Sequence, residues 1–408
     1  MSLYKNLTDL YMHECHINAI KKNKSHFCSG LIMLYVLVHE KWLCSDSWLR
    51  HMHHLHCRQE EYCGLMVMCS AINKPESMND QEDIMKYVNL GRTDIRVSRL
   101  AVGGMSFGKA SEDFHLWTLD QERTKEMIGH ALDLGVNFID TANTYSHGTS
   151  EEYIGKALKD LGIARDRVVI ATKVYFNEGH LSREAIMREI DGSLTRLGTD
   201  YVDLYQIHRF DYDTPIEETM EALHDLVKAG KVRAIGASAM YGYQFHNMQV
   251  CAEKHGWTLF STMQNHYNLL YREDERELIP VCQQYGVSLI PYSPLAGGHL
   301  AHPGWTIDSK RSQTDKVIRA KYDAYKDNDL QIIGRVEELA EKYNVSMSEI
   351  ALSWLYHRGV AAPIVGATKM NHFDDAVRAV DFVLSDDDAK YLEELYQPHA
   401  LTGLIPHK

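Results

Sequence analysis

Asn137-Phe138-Ile139-Asp140-Thr141-Ala142-Asn143-Thr144-Tyr145 is the stretch that decides the fold of this chain. A short apolar run ends in a carboxylate, and a tyrosine follows five residues later. Two later runs share the design: Val168-Val169-Ile170-Ala171-Thr172 ends in Lys173, and Val202-Asp203-Leu204-Tyr205-Gln206-Ile207 ends in His208. Each run has the length of a buried strand, with a titratable group where the strand should stop. In a parallel sheet or barrel such ends open on one face, and that face carries the chemistry. Asp140, Tyr145, Lys173 and His208 therefore read as one cluster at one mouth.

Outward from these runs, strand and helix alternate from residue 85 onward. Tyr87 to Leu90 and Ile95 to Arg99 flank Gly91-Arg92-Thr93-Asp94, the pattern of a small hairpin. Thr118-Leu119-Asp120-Gln121 has capping-box spacing and predicts a helix to about Leu134, stopped by Gly135. Thr214-Pro215-Ile216-Glu217 predicts a second capping box with proline at the first helical position. Gly162, Gly198, Gly230, Gly256 and Gly286 each precede a new apolar run, where glycine supplies the left-handed turn that ends a helix. They recur at intervals of roughly 30 residues, the length of one βα unit. Apolar runs near residues 100, 138, 169, 203, 234, 261, 288 and 363 give eight strands. The expected fold is an α/β (β/α)8 TIM barrel over 85–408, with an N-terminal hairpin. The polar segment His299 to Asp329 breaks the rhythm after the seventh strand and reads as a loop covering the mouth. Helices near Leu330 to Tyr343 and Ser346 to His357 precede the last strand.

The net charge of −13 argues against a nucleic-acid binder, and no apolar run is long enough to span a bilayer. Of eight cysteines, six lie within the first 69 residues, so the body reads as a reduced, cytoplasmic protein. Residues 1–84 differ from the rest: they are rich in Cys, His and Met and hold no sustained period. Lys21, Lys22 and Lys24 before Phe27 to Val38 have a signal-peptide flavour, but no small-x-small cleavage site follows. His51, His53, His54, His56, Cys57, Cys63 and Cys69 lack the close Cys pairs of a zinc site, so no metal is assigned. The segment reads as an atypical extension, disordered or loosely packed, or as an upstream extension of the reading frame before Met85.

A free tyrosine is a poor acid at neutral pH. An ammonium beside it stabilises the phenolate, and a carboxylate can hold that ammonium charged and oriented. An imidazole can hydrogen-bond the substrate oxygen. Together they make a proton donor aimed at a carbonyl oxygen that becomes an alkoxide. No nucleophile or metal set accompanies them, and hydride from a nicotinamide is the economical electron source. Taken singly, Asp140 is more often a cap, Tyr145 a loop aromatic, Lys173 a solvated strand-end lysine and His208 a satisfied core histidine. Their joint appearance at successive strand ends changes that balance. Gly103-Gly104-Met105-Ser106-Phe107-Gly108-Lys109-Ala110 nearly fits a phosphate-binding P-loop, but Ala110 replaces the magnesium-binding hydroxyl and no helix pattern follows at once.

From about Met85 onward the chain resembles the aldo-keto reductase superfamily, in particular the bacterial and fungal branch related to potassium-channel β subunits. The resemblance rests on Asp140 to Tyr145, Ser150-Glu151-Glu152, Ala171-Thr172-Lys173, Leu204 to His208 and Lys231 to Ser238. It continues through Gln264 to Asn268, Tyr292 to Gly298 and Ile364 to Lys369. It implies a barrel that binds NADPH across the strand ends and reduces a small-molecule carbonyl substrate, as a monomer or homo-oligomer. By resemblance Tyr145 is the general acid, Lys173 and Asp140 tune it, and His208 positions the carbonyl. Ser238 and Gln264 would hold the nicotinamide carboxamide, and Tyr292 would stack on its ring. Ser293, Leu295 and Gly297 would line the pyrophosphate, with Gly366, Thr368, His372 and Asp375 around the adenosine end. Two departures stand out. Ala239 replaces an asparagine the family often has, and the arginine that many relatives place near His372 is missing, with Lys369 or the Lys310-Arg311 pair as substitutes. Channel β subunits use this fold as cofactor-sensing partners, which is the alternative to an active enzyme.

Overall fold

The computed structural model describes residues 85–306 and 310–405. The expectations for residues 1–84 lie outside the described residues. Among the described residues ten strands follow in order: β1 (Tyr87–Asn89), β2 (Arg96–Ser98), β3 (Ala101–Gly103), β4 (Phe138–Asp140), β5 (Val169–Val174), β6 (Val202–Ile207), β7 (Val232–Ser238), β8 (Phe260–Gln264), β9 (Ser288–Leu289) and β10 (Ile364–Val365). Between and after them run α1 (Gln121–Asp133), α2 (Thr149–Asp160), α3 (Arg183–Leu197), α4 (Ile216–Lys228), α5 (Gly242–His255), α6 (Leu278–Tyr285), α7 (Lys310–Thr314), α8 (Lys316–Tyr322), α9 (Lys326–Tyr343), α10 (Met347–His357), α11 (Asn371–Arg378) and α12 (Asp386–Glu393).

Strands β3 to β10 form one parallel sheet in the order β10-β3-β4-β5-β6-β7-β8-β9. Its two ends meet. The Ala361 N–H donates to the Leu289 carbonyl at 3.0 Å, and the Ile364 N–H to the Pro291 carbonyl at 3.0 Å. The sheet therefore curls into the expected (β/α)8 barrel. The inner strands are apolar because they are buried on both faces: β5 and β6 have no exposed residue.

Hairpin β1–β2 closes the end opposite the site. Leu90, Ile95 and Val97 pack with Ala101, Phe138, Val169, Ala171, Leu204 and Ala234 in a small cluster inside the barrel. Gly91 makes that approach possible. At φ +54°, a Cβ there would lie 2.4 Å from the Ser261 carbonyl oxygen.

The glycine punctuation holds. Gly198, Gly256 and Gly286 cap α3, α5 and α6 in the left-handed conformation, and Gly162 and Gly230 turn the chain one residue beyond the caps of α2 and α4. Two predicted capping boxes are corrected. Helix α1 is capped by Asp120, whose carboxylate accepts from the Arg123 N–H at 3.0 Å, rather than by Thr118. Ahead of α4, the Thr214 hydroxyl donates to Asp211 at 2.7 Å and caps nothing, and Pro215 sits at the cap position. In the first case a carboxylate, the stronger acceptor, took the role the spacing gave to a threonine; in the second the carboxylate of Asp211 drew the threonine hydroxyl away and left α4 without a side-chain cap. The segment 299–329 is not only loop. It holds α7 and α8, a turn at Asp323–Tyr325 and the start of α9.

Candidate active site

The carboxyl ends of the barrel strands open on a cavity of about 1070 Å³. Asp140, Tyr145 and His208 line it, and Lys173 lies fully buried beneath them. The geometry of the four is specific. Lys173 Nζ donates to Asp140 Oδ2 at 2.7 Å, to the Thr141 carbonyl at 2.7 Å and to Tyr145 Oη at 3.1 Å. Three donors meet three acceptors, which an ammonium in a dry site requires. Burial works against its charge, but the Asp140 carboxylate and then Tyr145 outweigh it and hold the ammonium above its ordinary range. Because Lys173 donates to the phenol oxygen, the phenol's own hydrogen is free to be given elsewhere.

Asp140 is held from its other oxygen. Gln206 Nε2 donates to Oδ1 at 3.0 Å and Gln264 Nε2 at 2.8 Å. The His208 ring stands edge-on to Tyr145, with centroids 5.7 Å apart, and its Nδ1 is buried without a partner. Burial, then Lys173 and Arg209, push its pKa well below the ordinary value, so the imidazole is neutral at physiological pH.

The short segment between β4 and α2 aims Tyr145. Ser150 Oγ lies 2.8 Å from Thr141 Oγ1 and donates to the Gly104 carbonyl at 2.8 Å. Buried Glu151 accepts from Thr172 Oγ1 at 2.5 Å and from Arg196 Nε at 2.7 Å. Ser146 and His147 take left-handed φ of 47° and 54° to make the turn. Ser150 and Glu151 entered the sequence argument only as matching residues; here they tie Tyr145's loop to β5 and α3.

The cavity divides by strand. Loops after β3 to β6 supply an arc of rings: His115 lies 4.8 Å from Trp117 and 4.5 Å from Phe114, Phe114 lies 6.4 Å from Tyr145, and Phe176 lies 5.0 Å from His208. The ends of β7 and β8 supply Ser238 and Gln264, and the segments after β9 and β10 supply Tyr292, Ser293, Leu295, Gly297, Gly366, Thr368 and His372, all on the cavity wall. Ser238 Oγ donates to the Gln264 carbonyl at 2.8 Å, and with Gln264 Nε2 engaged by Asp140, its amide oxygen is left for another group. The Tyr292 ring lies parallel to His266 with centroids 5.2 Å apart, and its hydroxyl has no partner.

The backbone after Tyr292 turns sharply. Ser293, Ala296 and Gly297 all have left-handed φ, at 53°, 49° and 70°, and the Ala296 and Gly298 N–H groups donate to the Ser293 and Leu295 carbonyls at 3.0 and 2.8 Å. Asp375 stands apart: it is not on the cavity wall, and its carboxylate pairs with Arg378. The segment 299–325 does cover the mouth. His302, Thr306, Arg311, Asp315, Val317, Ile318 and Lys321 line the cavity, and the Arg311 guanidinium lies 4.4 Å from the Trp117 ring on the far loop. Lys369 also lines it. The aromatic arc and Arg209 escaped the sequence argument because loop residues carry no period, and Gln206 in β6 and Lys321 in α8 because nothing local marks them as facing the site. Among the described residues, no group of three or more His, Cys, Asp or Glu could hold a metal, and no helix is long and apolar enough to cross a membrane.

Residues 99–397 match the model of the aldo/keto reductase family. The chain belongs to the aldo-keto reductase family. Among its relatives, versiconal hemiacetal acetate reductase of Aspergillus parasiticus is 43% identical over 344 residues, covering 78% of this chain and 98% of the relative. A putative aryl-alcohol dehydrogenase of Schizosaccharomyces pombe is 44% identical over 353 residues, 78% of this chain and 98% of the relative. An aldo-keto reductase of Fusarium vanettenii is 42% identical over 366 residues, 81% of this chain and 96% of the relative. As a member, the chain is an oxidoreductase acting on carbonyl and alcohol groups with a nicotinamide cofactor.

Proposed function

We propose that the protein reduces aldehydes or ketones to alcohols with NADPH, and that Tyr145 is the proton donor. The observation that carries this reading is the Lys173 ammonium, which spends its third N–H on the phenol oxygen at 3.1 Å. That bond stabilises the phenolate left after proton transfer, which lowers the barrier to giving the proton up. The phenol hydrogen goes to the substrate oxygen as charge builds on it. Neutral His208 orients that oxygen, and Asp140 keeps Lys173 charged throughout. Reduced nicotinamide, when bound, supplies the hydride.

The far side of the cavity fits the cofactor. Ser238 and the free amide oxygen of Gln264 would take the carboxamide, and Tyr292 the ring. The left-handed turn at Ser293 to Gly297 would take the pyrophosphate, with Leu295 against it. Gly366, Thr368 and His372 would flank the adenosine end, while Asp375, off the cavity wall and paired with Arg378, would stand behind them. Lys369 and Arg311 are the cations that would favour a 2′-phosphate, and with it NADPH over NADH. The relatives' printed names, a versiconal hemiacetal acetate reductase and a putative aryl-alcohol dehydrogenase, support carbonyl–alcohol chemistry, and the second supports an aromatic substrate.

The test is an aldehyde and ketone screen followed at the reduced-nicotinamide absorbance, once with NADPH and once with NADH. Turnover with a higher kcat/KM for NADPH is expected. Tight NADPH binding with no turnover on any carbonyl would favour the cofactor-sensing alternative.

A further inference from the structure

Arg209 directly follows the residue that orients the carbonyl, lines the cavity and has no role in the proton transfer above. Its guanidinium donates to the His208 carbonyl at 2.6 Å and lies 5.5 Å from the centre of the Phe176 ring. Among the described residues it has no carboxylate partner within ion-pair distance. Of the other cations lining the cavity, Arg311 has Asp315, and among the described residues Lys321 and Lys369 have no such partner either; Arg209 differs from them in its place beside His208. The acid nearest in sequence, Asp211, is spent elsewhere, accepting from the Leu181 N–H, the Asp213 N–H and the Thr214 hydroxyl. Arg209 nevertheless acts electrostatically on His208, Tyr292, His266 and Lys321, so its charge reaches well into the site.

A guanidinium with donors to spare in a half-closed cavity is a place for an anion. Two sources compete, the cofactor's phosphates and the substrate. The lean of the side chain separates them. Phe176 belongs to the loop after β5, on the aromatic side, whereas the turn proposed above for the pyrophosphate lies after β9. Lys321, 4.6 Å from the centre of the Tyr292 ring, and Lys369, after β10, already line that half, whereas Arg311 leans on Trp117. Arg209 instead ends the arc of rings running from Trp117 through Phe114 and Tyr145 to His208 and Phe176.

Resting on the carbonyl-reductase reading, we propose that Arg209 is a specificity residue that binds an anionic group on the substrate, and that the favoured class is aromatic carbonyl compounds carrying a carboxylate. The C=O would sit between Tyr145 and His208, the ring against the arc, and the carboxylate on the guanidinium. Such a carboxylate is ionised at neutral pH. A charge-assisted bond in this setting is worth roughly tenfold or more in kcat/KM.

The test compares 2-, 3- and 4-carboxybenzaldehyde with their methyl esters, using NADPH, in the native protein and in Arg209→Gln and Arg209→Lys. The readout is the acid-to-ester ratio of kcat/KM, which a merely structural loss would leave unchanged. For at least one isomer the native ratio is expected to exceed unity roughly tenfold, to fall with added salt, to collapse in Arg209→Gln and to recover in part in Arg209→Lys. If Arg209→Gln does not fold, the native salt dependence and the lysine variant decide. Native ratios near or below unity for all three isomers, or ratios unmoved by both variants, overturn the proposal. Quenching of tryptophan fluorescence by the same acids and esters, with NADPH present, separates the two readings. Acid-selective, Arg209-dependent binding without turnover would sink the reductase reading and keep this one; turnover of esters and acids alike would do the reverse.

Discussion

Lys173 shows how single residues in this site are fixed by elementary constraints. A buried ammonium needs three acceptors and a counter-charge, and it has Asp140, the Thr141 carbonyl and Tyr145. Asp140, Lys173 and His208 were legible in the sequence because each ends an apolar run, and strand ends are where a barrel keeps its chemistry. Ala239 was legible only as a departure, and the structure supplies its physical meaning. It sits at φ +47° immediately after β7, a conformation that asparagine and glycine tolerate and alanine resists. Ala239→Gly is therefore expected to stabilise the fold by about 0.5–1 kcal/mol, read as a raised urea midpoint. A lowered midpoint would show that the left-handed backbone there is not strained.

Between residues and fold, the segment from β4 through α2 and its partner helix α3 sets where Tyr145 points. Glu151 is fully buried in the first turn of α2 and depends on Arg196 of α3 and Thr172 of β5. Removing one partner leaves a buried carboxylate short of compensation. Arg196→Met should cost about 2–3 kcal/mol in urea unfolding, below the roughly 3–5 kcal/mol of a fully buried broken pair because Arg196 is partly exposed. It should also lower kcat by loosening the loop that carries Tyr145. An unchanged midpoint would mean that Glu151 is held by Thr172 alone. At this scale strands and helix stops were readable, since burial on both faces and left-handed glycine leave a local mark. Helix caps and the helices within the lid were not, although the lid's place over the mouth was. Asp120 displaced Thr118 as a cap, and α7 and α8 lie in a polar segment whose helicity depends on packing across the mouth, as Ile318 does against Gly297.

Across the whole molecule, matched relatives are covered almost entirely by about four-fifths of this chain. The catalytic barrel is therefore expected to be self-sufficient from Met85. A chain of residues 85–408 should keep kcat/KM to within about twofold of the full chain, as domains with their own core do. Loss of soluble protein on that deletion would assign residues 1–84 a structural part. Stability of the whole fold should also carry a pH signature from Asp274. Desolvation pushes its carboxyl up to about 7, against the Asn265 hydrogen bond that pulls it down. The folded form thus keeps a proton that the unfolded chain releases near 3.8, and this contribution is full below that value and lost as pH rises toward 7. Asp274→Asn should raise Tm relative to the native protein at pH 8 and lose that advantage as pH falls to 4; a gap independent of pH would rule the assignment out. The account as a whole stands on four side chains from β4, its following loop, β5 and β6 meeting around one carbonyl, with Tyr145 giving the proton. The direct measurement is Tyr145→Phe, assayed for kcat on an aromatic aldehyde and, separately, for NADPH affinity by fluorescence. A fall in kcat of about 100-fold or more with NADPH affinity preserved is predicted; native turnover in that variant would contradict it.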